Sequence, residues 1–134
     1  DEGICDLYKD VFLYHWREES QHALLDELEW ERENLRIGPV ERDAAVDDLI
    51  ALVGAVDGIV QQQAVDDATY FITTADRGFT QAQVDAIGAG LLAAYRWQYI
   101  VSGVKEPRFA RALALMVTTD QMKRIQTALQ PLMA

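Results

Sequence analysis

Three short breaks punctuate this chain, and the long uninterrupted stretches between them restrict it to a bundle of helices. Arg36-Ile37-Gly38-Pro39 forms the first break and Ala75-Asp76-Arg77-Gly78 the second; Ser102-Gly103 with Glu106-Pro107 forms the third. Glycine and proline are the strongest interruptions of regular backbone, so elements end at these points. Between them lie segments rich in Ala, Leu, Gln, Glu and Asp. Strands need period-two alternation bounded by turns, and no stretch of useful length shows it.

The first helix is expected from about Ile4 to Leu35, with Gly38 as a left-handed stop and Pro39 barring continuation. The second runs from Val40 or Arg42 to Thr74, with Leu49, Leu52, Val53, Val56, Ile59, Val60, Tyr70 and Phe71 as its apolar stripe. Thr80 and Gln83 form a capping box that starts the third, which continues through Tyr95 and Tyr99 towards Ser102. Pro107 suits the first turn of a short helix over Arg108 to Val117. Thr118 and Gln121 start another, ending near Pro131. Each helix buries one stripe and cannot do so alone, so short loops imply antiparallel neighbours. The fold class is all-α: three long helices and a short terminal pair.

Composition narrows the function. The chain has 134 residues, half of them hydrophobic, enough for a single domain over 1–134. It carries 22 acidic and 12 basic residues, a net charge of -10. Such a surface repels phosphate backbones and anionic lipid, so neither nucleic acid nor membrane is expected as a partner. No apolar run approaches the ~20 residues of a membrane span. One cysteine, Cys5, excludes an intramolecular disulfide and fits a reducing, cytoplasmic setting. The sequence opens on Asp1 with helical periodicity from Ile4, which suggests a removed leader or the carboxy-terminal part of a longer polypeptide.

The chemistry concentrates on the first helix. At about 100° per residue, Ile4, Tyr8, His15, Glu19, His22 and Asp26 fall along one line. Leu7, Val11, Tyr14 and Leu25 flank it on one side, and Phe12, Trp16, Ala23 and Trp30 on the other. Both histidines of the chain thus occupy the middle of a face expected to be buried. An unpaired buried charge costs several kcal/mol, so these groups need partners: each other, water, opposing helices or a cation. Carboxylate and neutral imidazole suit divalent iron, manganese or zinc. Glu19 and His22 lie ~4.5 Å apart along the axis and can share an ion, whereas His15 and His22 lie ~10.5 Å apart and converge poorly. His15 is therefore a hydrogen-bonding group, and Asp26 could orient the His22 ring.

The stretch from Trp16 to Trp30, WREESQHALLDELEW, resembles the Glu-x-x-His helix of the ferritin-like di-iron carboxylate superfamily, with Glu19 and His22 matching and Glu18 just before them. The resemblance covers one helix. It implies an antiparallel ferritin-like bundle, an iron or manganese cofactor and oxidoreductase chemistry. Family members surround two irons with four carboxylates and two histidines, and a second Glu-x-x-His helix is part of the set. This chain has no second such motif. Tyr95, Gln98, Tyr99 and Ser102 stand where one would fall on the third helix. The second helix offers Gln63 and Asp67, with Asp66 at the edge; Asp67 is the best opposing carboxylate. A homodimer, or a helical segment amino-terminal to Asp1, would complete the groove left by three long helices.

A plainer account stands beside this one. Glu19 with His22, and Gln63 with Asp67, also suit polar layers that fix helix register in a non-enzymatic assembly module. Trp16, Trp30, Tyr95, Trp97 and Tyr99 suit packing, and so does Cys5. The acidic run from Asp26 to Glu33 suits a solvated helix end, its unfavourable dipole compensated by Arg32 and Arg36.

Overall fold

The computed structural model describes residues 3–133 and is all-helical, with no strand among the described residues. In chain order it has α1 (Asp6–Asn34), α2 (Pro39–Thr74) and α3 (Gln81–Arg96). A π-helical turn (Trp97–Val101) leads into α4 (Ser102–Val104), followed by α5 (Pro107–Met116), α6 (Thr119–Leu129) and a closing 3-10 turn (Gln130–Leu132). The chain divides into two compact units, residues 1–37 and residues 38–134.

The first unit is α1 with its short lead and exit. Lys9 pairs with Asp6 at 3.3 Å, Arg36 with Glu33 at 2.8 Å, and Arg32 with both Glu29 and Glu33. The arginines thus neutralise the acidic helix end, as the dipole argument requires, and the Arg32 hydrogen bond holds the Glu33 carboxyl below its ordinary range. No residue of α1 is buried, so the polar line expected to lie within an interior is exposed in this unit. Trp16, Trp30 and Cys5 are exposed as well, so none of them packs into a core within this unit. The helix does not stop on a left-handed Gly38: no glycine has positive φ, and Leu35 ends α1 in right-handed geometry. Gly38 is extended (φ -82°) and begins α2 instead, where the Glu41 side chain accepts its N–H at 2.7 Å.

The second unit has its own core. Val46, Val60, Ala64 and Ala68 of α2 are buried with Ile100, Val101, Ala112 and Ile125. Of the expected stripe Val60 is buried and Leu49, Val53 and Val56 are half-buried, whereas Leu52, Ile59, Tyr70 and Phe71 are exposed. Alanines at 64 and 68 take little room against a neighbouring helix, whereas ranking by hydrophobicity favours the bulkier positions. The capping boxes form as the sequence predicts: Gln83 caps the Thr80 N–H at 2.9 Å, and Gln121 the Thr118 N–H at 2.9 Å. Glu106 accepts from the Phe109 N–H at 2.8 Å, with Pro107 in the first turn of α5.

Polar contacts then pin the helices. Arg96 donates to Asp57 from Nε at 2.7 Å and from Nη2 at 3.0 Å, and Gln61 donates to the same carboxylate at 2.5 Å. Asp57 is only 7% exposed. The Arg96 hydrogen bonds hold its carboxyl below the usual range, against the opposing effect of burial, with Gln61 adding to the lowering. At the other end of the unit, Asp43 accepts from Gln121 at 3.1 Å and from Arg124 at 2.6 Å, and Arg124 also reaches Asp47. These bonds tie α6 to the first turns of α2.

Candidate functional site

The Glu19 carboxylate of α1 sits between the two imidazoles. Its Oε2 lies 3.4 Å from Nδ1 of His22 and its Oε1 3.7 Å from Nε2 of His15. Helical geometry produces this directly, because residues three and four apart share a face. The side chains are 53% exposed for Glu19, 55% for His22 and 61% for His15, so water solvates all three. Glu18 and Asp26 are exposed too, and among the described residues no hydrogen bond joins Asp26 to His22.

The Glu19–His22 spacing fits a shared ion. Two donors each ~2.0–2.1 Å from one metal in tetrahedral geometry stand roughly 3.3 Å apart, close to the 3.4 Å found here. The same distance serves a weak N–H···O bond within a solvated pair, worth little by itself. A divalent ion needs more donors than two. Among the described residues, no group of three or more His, Cys, Asp or Glu side chains could hold a metal. The pair is therefore chemically apt but incomplete.

The remaining candidates lie in the second unit, where Gln63, Asp67 and Tyr95 are hydrogen-bonded together. The Tyr95 hydroxyl donates to Asp67 Oδ2. Hydrogen bonds from Gln63 first, and from Tyr95 second, hold the Asp67 carboxyl below its usual value. The same contact with Asp67 pushes the Tyr95 phenol above its ordinary value. Asp66 instead accepts from Gln62 at 3.0 Å. Gln98 and Tyr99 fall in the π-helical turn and are exposed; the Gln98 carbonyl accepts from Ser102 at 3.1 Å, and the Tyr99 ring lies 6.2 Å from that of Tyr95. Trp97 lies outside the core of this unit: it is exposed, with the Lys105 ammonium 5.1 Å from its ring.

Two features of this unit escaped the sequence reading. One is the buried Asp57–Arg96 pair, whose only local sign is a carboxylate between Val53 and Val60. The other is a cavity of about 380 Å³ against α2. No helix of the described residues is long and apolar enough to cross a membrane. No family model, no curated protein and no solved structure matches the chain.

Proposed function

We propose that this protein is a ferritin-like, metal-binding helical protein in which Glu19 and His22 of α1 ligate iron or manganese. The observation that supports it is the Oε2 to Nδ1 separation of 3.4 Å between a carboxylate and an imidazole one turn apart. Hard carboxylate oxygen with borderline imidazole nitrogen is the donor mixture that such ions take. His15, on the other side of the same carboxylate, lies 3.7 Å from its Oε1, beyond hydrogen-bond reach. Further ligands must come from another helical surface. Two ligands anchor an ion without filling its coordination shell, so tight binding and any oxidoreductase role both rest on the completed set.

The test is metal content. Protein purified without chelator from iron- and manganese-supplemented cells retains a stoichiometric ion, and His22→Ala releases it. Wild-type protein free of metal under those conditions overturns the proposal.

A second function has its own observation. Described by itself, α1 exposes Leu7, Val11, Phe12, Trp16, Leu25 and Leu28, and solvent-exposed apolar patches mark interaction surfaces. A non-enzymatic assembly module would draw its association energy from those side chains, with the polar line between them setting register. Replacing Glu19 by Leu and His22 by Met together would then leave self-association in sedimentation unchanged, whereas a metal-bridged assembly would dissociate.

A further inference from the structure

The cavity in the second unit lies among α2, α4, α5, α6 and the closing 3-10 turn. Its lining is overwhelmingly apolar, with Leu49, Val53, Phe109, Met122 and Leu129 prominent. Two polar side chains join them: Asp57, which is buried, and Gln126, which is exposed. Pockets of ~300–1,000 Å³ with apolar walls and a few placed polar groups are the usual form of a small-molecule site. Scaled from the ~150 Å³ cavity that takes benzene, this one has room for roughly fifteen carbon atoms.

Charge decides what such a molecule looks like. The one ionised group in the lining, Asp57, is already matched by Arg96 and Gln61. The cavity therefore presents no unbalanced charge to a ligand. An anion would also approach against a net charge of -10, and a cation would find the carboxylate occupied. A neutral molecule meets neither obstacle, and the Gln126 amide offers a donor and an acceptor to a hydroxyl or amine at its end.

Gly54 gives a handle on the same space. It lines the cavity, and a Cβ built on it meets no heavy atom within 4 Å. Glycine is a weaker helix former than leucine, so a larger side chain at Gly54 fills open space while strengthening α2.

We propose that this cavity binds an uncharged, predominantly apolar small molecule of about fifteen carbon atoms, with its polar end at Gln126. The site belongs to the second unit alone and does not depend on metal binding by α1.

The experiment uses the neutral fluorophore N-phenyl-1-naphthylamine as probe. The expected result is saturable binding of one probe per chain, weakened at least ten-fold by Gly54→Leu and unchanged by Gly90→Leu. Gly90 is an exposed α3 position outside the lining, with nothing within 4 Å of its Cβ. Thermal melts confirm that both variants are folded. Dodecan-1-ol displaces the probe at concentrations at least ten-fold lower than dodecanoate or dodecyltrimethylammonium. Absence of saturable binding, equal binding by Gly54→Leu, or equal displacement by the charged competitors overturns the proposal. Probe released as protein concentration rises would place a second copy over the cavity, and that too overturns it.

Discussion

Replacing Arg96 by Met should destabilise the second unit more than any other single change to its ion pairs. Asp57 is 7% exposed, and the substitution leaves its carboxylate with Gln61 as its remaining hydrogen-bond donor. Stranding a fully buried charge costs about 3–5 kcal/mol. The Arg96 side chain is 23% exposed, so water reaches the vacated position and about 2–3 kcal/mol is the better figure. At ~4–8 °C per kcal/mol for a domain of this size, Tm should fall by roughly 10–20 °C. Calorimetry or far-ultraviolet circular dichroism measures this. The double variant Asp57→Leu with Arg96→Met removes both charges and should recover most of the loss, because an apolar pair of similar volume replaces a buried ion pair at little cost. Lys123→Met, which breaks the exposed contact with Asp120, should shift Tm by less than about 2 °C. A drop below about 2 °C for Arg96→Met, or a double variant less stable than the single, would refute the reasoning.

Further outcomes follow from the same contacts. Asp57 and Asp43 have carboxyls held below their ordinary values in the folded chain. Their contribution is therefore complete above the unfolded value near pH ~3.9 and is lost as pH falls through the lower folded values. Urea titrations should show stability declining as pH is taken below about 4, with a shallower decline for Asp57→Asn. Tyr95→Phe removes one of the two hydrogen bonds on Asp67, so its carboxyl should titrate at higher pH by carbon-detected NMR while staying below normal through Gln63; an unchanged midpoint would refute the contact. Arg124→Ala cuts the ties to Asp43 and Asp47 and should raise hydrogen exchange across α6 with little change in the middle of α2. Uniform protection would show that apolar packing alone holds α6.

What the sequence disclosed, and what it did not, follows from the range of each interaction. Pro107 and the two Thr-Gln boxes act within one turn, so the helix starts they predict coincide with the observed ones to within a residue or so; Pro39, read as barring α1, itself opens α2. Gly38 was misjudged because glycine suits either a left-handed stop or a bare N-cap, and the Glu41 side chain three residues on selects the second. The buried line of α2 was placed only in part: Val60 is on it, but packing also uses Ala64 and Ala68, which hydrophobicity ranks below the exposed Leu52 and Ile59. Asp57 and Arg96 are far apart in sequence and met only on folding. Within α1, periodicity correctly brought His15, Glu19 and His22 together. It carried no information about what stands opposite them, since that depends on a surface α1 does not itself contain.

The central claim is that Glu19 and His22 ligate a metal ion, and X-ray absorption at the metal edge of iron- or manganese-loaded protein tests it most directly. Imidazole scattering should be present in the wild type and absent in His22→Ala, with the oxygen shell diminished in Glu19→Ala. A spectrum of oxygen neighbours alone, identical in all three proteins, would contradict it.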